Sequence, residues 1–301
     1  MPIYLGLDFG GTKLAVGLVD DQGALLDSRR RPTDPATGGV GAVEAMREMV
    51  DEMGAGRETI DAVGISFGGP VDASRTRTLI SHHGPGWVDF PLVERIAEIW
   101  RRPVEMDNDA NAAALGEARF GAAAGARNAL YVTVSTGVGG GIIVDGKLYR
   151  GSRGLSGEIG HTIVKPGGPV CTCGKRGCVE AVAAGPSIAL AYQAAARSGS
   201  PITAEDVFRL AASGDPTAQL VLDDAITYLG IGLANAINLL DPDVVVLGGG
   251  VTRAGDALFV PLRAAVRMAS PPSPPDAVPI VAAALGDAVG ILGAVALVLS
   301  G

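Results

Sequence analysis

At 301 residues the chain is long enough to bury a substantial core and to form two lobes rather than one. With 48% hydrophobic and 19% charged residues it is globular and not disordered, and a net charge of -8 with no basic tail excludes a broad nucleic-acid surface, which needs clustered Lys and Arg. The start, MPIYLGLDFGG, carries neither a basic segment nor a long apolar run, so no signal peptide is expected and the chain is placed in the cytoplasm.

In chain order, Ile3 to Asp8 reads as a buried strand, FGGTK as a tight turn and Leu14 to Val19 as the returning strand. This glycine hairpin has neither Walker nor Rossmann spacing. Backbone N–H groups around Gly10 and Gly11, with the Thr12 hydroxyl and the adjacent Lys13, can cradle a phosphate, and Asp8 can hold a hydrated magnesium ion beside it. An ordinary hairpin turn is the alternative. Thr37 to Gly54 has helical character, and Asp61 to Ser66 is a short strand running into FGGPVD, where Gly69 permits close approach to a ligand. A loop SHHGPGW follows. Val93 to Trp100 reads as a helix, Pro103 to Met106 as a strand, and DNDAN leads into a helix ending at Phe120. Asn108 and Asp109 thus fall where a strand stops and a helix starts, a favoured place for ligand-facing groups. A helix cap accounts for one of Asp107, Asn108 and Asp109, not for all three.

A second glycine hairpin, YVTVSTGVGGGIIVDGKLYRG, begins near Leu130 and repeats the first, with Thr136 and Gly137 in its turn. Two such units about 130 residues apart suggest a duplicated fold whose halves face each other across a nucleotide. A third glycine cluster, Gly248, Gly249 and Gly250, follows the strand Val244 to Leu247 and opens a helix near Ala254; it suits contact with adenosine, with a plain tight turn as the alternative. Alanine-rich helices around Ser187 to Arg197, Ala204 to Ser213 and Thr217 to Leu240 serve packing. SPPSPP, Ser270 to Pro275, is a stiff surface loop. Val278 to Leu299 is taken as the one long apolar run. Asp287 and glycines interrupt it, so its later part is expected to be a buried helix and not a membrane span.

The stretch Gly157 to Glu180, GEIGHTIVKPGGPVCTCGKRGCVE, holds all three cysteines. Cys171, Cys173 and Cys178 lie within eight residues, and His161 lies ten before the first: a four-ligand set suited to tetrahedral structural zinc. Three unrelated thiols are the alternative, and the metal spacing fits a reducing compartment better than a disulfide framework. Glu158, three residues before His161, and Glu180, closing the cluster, would present hydrogen-bonding groups beside it, as a polyhydroxylated ligand requires; singly, each also reads as a surface charge.

LGLDFGGTK, DNDANAAALGE, STGVGGG, GEIGH and CTCGKRGCVE, in this order, resemble the ROK family of sugar kinases and sugar-responsive repressors over essentially the whole chain. The resemblance implies an α/β fold of the actin-like ATPase (ribonuclease H-like) class, two α/β lobes with a cleft between them. The smaller lobe takes residues 1–117 plus 288–301, and the larger takes 118–287 with the zinc loop. It implies an ATP-dependent hexose kinase, glucokinase first. Asp109 is then the base, Gly69, Asn108, Glu158, His161 and Glu180 stand with it at the sugar, and His161, Cys171, Cys173 and Cys178 hold zinc. ATP and Mg²⁺ complete the set, with Asp8, Gly10, Gly11, Thr12, Lys13, Thr136, Gly137, Gly249 and Gly250 on the nucleotide side. Asp109 at a helix N-terminus is expected to be ionised. The implied assembly is a homodimer or homotetramer, with no nucleic-acid or membrane partner. Kinases for fructose, N-acetylmannosamine or allose, and a non-catalytic sugar sensor, are the competing readings. Two departures bear on specificity: Gly68 stands where the glucokinases commonly have proline, and His82-His83-Gly84 where an asparagine is expected.

Overall fold

The computed structural model describes residues 1–79, 85–270 and 278–300. The departure at His82 to Gly84 and most of the expected Pro-rich loop, residues 271–275, lie outside them. Two compact units are present: Met1–Arg127 with Gly141–Ser156 and Ala284–Gly301, and Asn128–Gly140 with Gly157–Ala283.

The chain opens with β1 (Ile3–Phe9), β2 (Lys13–Asp20) and β3 (Leu25–Pro32), followed by α1 (Gly38–Glu52), β4 (Ala62–Phe67), α2 (Leu92–Trp100), β5 (Val104–Asn108) and α3 (Asp109–Phe120). The first hairpin pairs as expected, with Phe9 opposite Leu14 across the FGGTK turn. β3 is a strand that hydrophobic alternation does not announce, because LLDSRRRP is mostly polar. It lies at the edge of the sheet, where charged side chains guard unpaired backbone, and Arg31 reaches Glu48 at 2.6 Å and also Glu52, both on α1.

β6 (Ala129–Val134), β7 (Val138–Val144) and β8 (Lys147–Tyr149) form the second hairpin run. Then come α4 (Val179–Ala183), α5 (Gly185–Ala196), α6 (Ala204–Ala212), α7 (Pro216–Leu240), β9 (Val244–Gly248), α8 (Asp256–Ala269), β10 (Ile280–Ala282) and α9 (Val289–Val298). A 3-10 turn, Gly250–Ala254, precedes α8, so the α-helix begins later than the glycine cluster suggests.

In the first unit the sheet runs β3-β2-β1-β4-β5, with β1, β4 and β5 parallel. One face buries α1 and α2 in a core that includes Leu5, Leu7, Val63, Ile65, Met46 and Ile96. α9 covers the other face, Ile291 and Val295 packing on Ala15 and Val19. Its approach to β4 is close enough that a Cβ on Gly64 would lie 1.8 Å from the Ala294 carbonyl oxygen, so no side chain fits there. The run Val278 to Leu299 is therefore a short strand, a turn and a ten-residue buried helix.

The second sheet runs β10-β9-β6-β7-β8, with β6, β9 and β10 parallel. Against the sequence reading, α7 is the helix that, among the described residues, is long and apolar enough to cross a membrane; half of its most apolar window is buried. Within the second unit it packs against α4, α5, α6 and α8, which accounts for apolar residues around much of its circumference.

Candidate active site and metal centre

Asn108 is the last residue of β5 and caps α3: its Oδ1 accepts from the Ala110 N–H at 3.0 Å. Its Nδ2 donates to the Gly69 carbonyl at 3.1 Å, tying the FGGP segment to the strand end. Asp107 is not a cap. It is 2% exposed, and it accepts from the Asn108 N–H and Asn111 Nδ2, each at 2.8 Å, and from Arg150 Nε at 2.6 Å. Gly68 donates its N–H to the Phe9 carbonyl at 2.9 Å, a bond that proline at this position lacks.

Asp109 begins α3 and accepts from the Ala110 N–H at 2.8 Å. The helix start, expected to favour the ionised form, does not set the direction of the shift, although the carboxyl stays largely ionised at neutral pH. Asp109 keeps a solvent-facing surface, but the protein crowded round it, and next the charge of Asp8, push its pKa up to about 6, outweighing the Ala110 and Asn108 hydrogen bonds. The helix terminus is a surface-strength effect, and desolvation near a second carboxylate exceeds it. Asp8 itself is 9% exposed, takes the Ser66 hydroxyl at 2.9 Å, and is also raised, chiefly by burial. Gly290 of α9 abuts it: a Cβ there would lie 2.3 Å from the carboxyl carbon. Around the first turn, the Gly10 N–H donates to the Lys13 carbonyl at 3.1 Å, while Thr33 of the following segment holds the Gly10 carbonyl through its hydroxyl at 2.8 Å and the Thr12 carbonyl through its N–H at 3.1 Å. The first unit thus gathers Asp8, Gly10, Gly11, Thr12, Lys13, Gly69, Asn108 and Asp109.

The second unit holds the rest: Thr136, Gly137, Glu158, His161, the three cysteines, Glu180, Gly249 and Gly250. The ligand atoms of His161, Cys171, Cys173 and Cys178 all lie within 4.8 Å of one another. Zinc bound tetrahedrally at about 2.3 Å from sulfur and about 2.0 Å from nitrogen requires ligand separations of about 3.8 Å and about 3.5 Å. Cys173 Sγ and Cys178 Sγ are 3.7 Å apart, and Cys171 Sγ and His161 Nδ1 are 3.6 Å apart. Burial raises the Cys171 thiol and pushes Cys178 up to about 12, so these two need a cation to become thiolates; the Lys175 backbone N–H lowers Cys173. The donor set fits a soft divalent metal.

His161 points its other nitrogen away from that cluster, Nε2 lying 3.8 Å from Glu158 Oε2 at the end of a single 3-10 turn. Glu180, in the first turn of α4, links two loops: Oε1 accepts from the Thr172 hydroxyl at 2.7 Å and Oε2 from the Val138 N–H at 3.1 Å. It lies so close to Gly137 that a Cβ there would meet Oε2 at 2.7 Å. The Gly248–Gly250 cluster lies beside the same strand end, the Gly249 position facing the Val134 carbonyl and Gly250 facing Ser135.

Sequence reading gave no role to Glu117, which is fully buried and accepts from the N–H groups of Ala122, Ala284 and Leu285 at 2.7, 3.1 and 3.0 Å. It pins the chain where α9 approaches. Its place in the DNDANAAALGE motif was the available signal.

A ROK family pattern matches residues 4–300. The chain belongs to the ROK family. A glucokinase from Halalkalibacterium halodurans is 37% identical, with 96% of this chain and 93% of that protein covered. An N-acetylmannosamine kinase from Yersinia pestis is 39% identical over 82% of each. The solved structure of a Streptomyces griseus ROK glucokinase with glucose and AMPPNP is 34% identical, covers 99% of this chain and 98% of that one, and superposes with a TM-score of 0.83. The fold of this ROK member is accordingly of the actin-like ATPase class.

Proposed function

We propose that this ROK member is an ATP-dependent hexose kinase, with glucose its first substrate, moving the γ-phosphoryl group to the sugar 6-hydroxyl. The observation that carries the reading is Asp109: a carboxylate at a strand-to-helix junction, beside Asn108, with a pKa near 6 that suits a base working at neutral pH. The whole-length likeness to glucokinases, one of them holding glucose and an ATP analogue, supports the substrate pair.

Phosphoryl transfer runs through a loose transition state, so alignment and charge stabilisation supply most of the rate. Asp109 orients the sugar hydroxyl and takes its proton late. Asn108 is locked by Gly69 and Ala110, so its position is set before substrate arrives. The N–H groups of the first turn, with Thr136 and Gly137 of the second, face phosphates, and Gly249 and Gly250 suit the nucleoside. Asp8 has one oxygen held by Ser66, and a single such carboxylate is what a largely hydrated Mg²⁺ uses; the ion supplies neutralisation of phosphate charge when bound. His161, Cys171, Cys173 and Cys178 would hold zinc as a structural staple for the loop presenting Glu158, His161 Nε2 and Glu180 to the sugar.

N-acetylmannosamine is the second reading, favoured by the 39% identity to that kinase. A coupled ADP-release screen over glucose, mannose, fructose, N-acetylmannosamine, N-acetylglucosamine and allose tests both. Turnover fastest on glucose is expected; release with none of the sugars overturns the kinase reading.

A further inference from the structure

A cavity of about 180 Å³ opens in the first unit between the loop after Gly69 and the loop after β8. That is an order of magnitude above the roughly 10–15 Å³ that one water needs. None of its lining residues belongs to the sugar or nucleotide sets above. Arg75 and Arg150 both face it, with Ser152 beside them and Val71 and Ala73 as apolar wall.

Hydrogen-bond accounting decides what this cavity recognises. Two carboxylates line it, but both are occupied. Asp72 accepts from the N–H groups of Ser74, Thr76 and Arg77 and from the Ser74 hydroxyl. Asp107 accepts from Asn108, Asn111 and Arg150. The unused capacity is donor capacity. Arg75 Nε is buried with no hydrogen-bond partner, and the nearest carboxylate to its guanidinium, Glu105, is 4.0 Å away. Arg150 spends its Nε on Asp107 and keeps its terminal nitrogens, its side chain being 32% exposed. Arg75 is also held at φ 57°, a left-handed conformation uncommon for a residue with a side chain. Two planar forks with free donors, beside carboxylates that are already occupied, match an anion bound bidentately.

We infer that this cavity is an anion subsite that takes a small phosphomonoester or phosphate, with Arg75 as its chief ligand. Occupancy is felt at the strand end that carries Asn108 and Asp109, because Arg150 holds Asp107 and Asp107 holds the Asn108 N–H.

The test is calorimetric titration of the full chain with inorganic phosphate and, separately, with glucose 6-phosphate, comparing wild type with Arg75→Ala and Arg75→Lys. The wild type is expected to show a binding event that Arg75→Ala weakens at least about tenfold, as loss of a charge-assisted contact predicts, with Lys recovering part of it. Both variants should turn over hexose normally in the absence of added phosphomonoester. Binding of glucose 6-phosphate alone identifies a sugar phosphate as the occupant; binding of both identifies the phosphate group itself. Isotherms for both probes that are the same in wild type and variants, with the variants shown folded by thermal melting, overturn the proposal. The titration needs no turnover, so its result is independent of the kinase reading.

Discussion

The turn between β1 and β2 and the turn between β6 and β7 occupy the same place in sheets of the same strand order, β3-β2-β1-β4-β5 and β8-β7-β6-β9-β10, yet different parts of the chain hold them. In the first unit the support is local. Thr33, the residue after β3, bonds the Gly10 and Thr12 carbonyls, and a single α-helix, α1, joins β3 to β4. In the second unit the segment between β8 and β9 carries the cysteine loop and four helices, and the turn is held by Glu180, which the Thr172 hydroxyl inside that loop fixes in turn. Equal sheets therefore do not mean equal stability: one turn is a property of its own sheet, while the other depends on whether the cysteine loop is ordered.

The largest expected effect lies at the strand-to-helix junction of the first unit. Asp109→Asn should lower kcat about 10² to 10⁴-fold, because Asn keeps the Ala110 hydrogen bond but cannot take a proton. Its stability should move the other way. A carboxyl raised from 3.8 to about 6 binds its proton more tightly folded than unfolded, so its ionisation costs stability as pH rises from about 4 to about 6, and the full cost persists above. The variant should therefore melt higher than wild type at pH 7.5 and equally at pH 4. Equal melting of variant and wild type at both pH values would mean that Asp109 is not a strained base. In the wild type, kcat/KM should fall about tenfold per pH unit below about 6.

Metal removal tests the asymmetry of the two turns directly. Cys178 is fully buried, and Cys178→Ser should lose one equivalent of zinc and lower Tm by at least about 5 °C, since metal-binding energy in such a loop is folding energy. Amide exchange should rise at Gly137 and Val138 and stay unchanged at Gly10 to Lys13. Faster exchange at both turns would abolish the distinction between them.

Glu180→Gln is a finer probe. It keeps the side-chain size and removes the charge behind the proposed Glu180 bond to the hexose, a loss of about 1.5 to 3 kcal/mol, so the KM for hexose should rise about 10- to 100-fold with little change in the KM for ATP. Equal rises in both would show Glu180 working mainly through the Gly137–Val138 turn. The smallest effect belongs to the locally supported turn: Thr33→Val removes one neutral hydrogen bond to Gly10 and should cost about 1 kcal/mol, seen in denaturant melts as a lower midpoint with unchanged slope.

Much of this was legible in the chain because it is encoded over short spans. The first hairpin, the strand-to-helix junction at Asn108 and Asp109, and the spacing of His161, Cys171, Cys173 and Cys178 each lie within about twenty residues, and apolar runs, glycines and ligand spacing act at that range. Arg-rich β3 escaped, because its strand state comes from pairing with β2 and not from its own hydrophobic pattern.

What the sequence determined by itself is therefore the family, most of the elements apart from strands such as β3, and the inventory of reactive groups. Tertiary structure alone decided their states: that Asp109 is raised and not lowered, because the surrounding protein desolvates it and Asp8 comes near it across about a hundred residues; that Asp107 is spent on Arg150; that Glu117 anchors Ala284 and Leu285; and that Glu180 bridges two loops. Desolvation and long-range hydrogen bonds set those states, and neither has a period or a spacing that can be read along the chain.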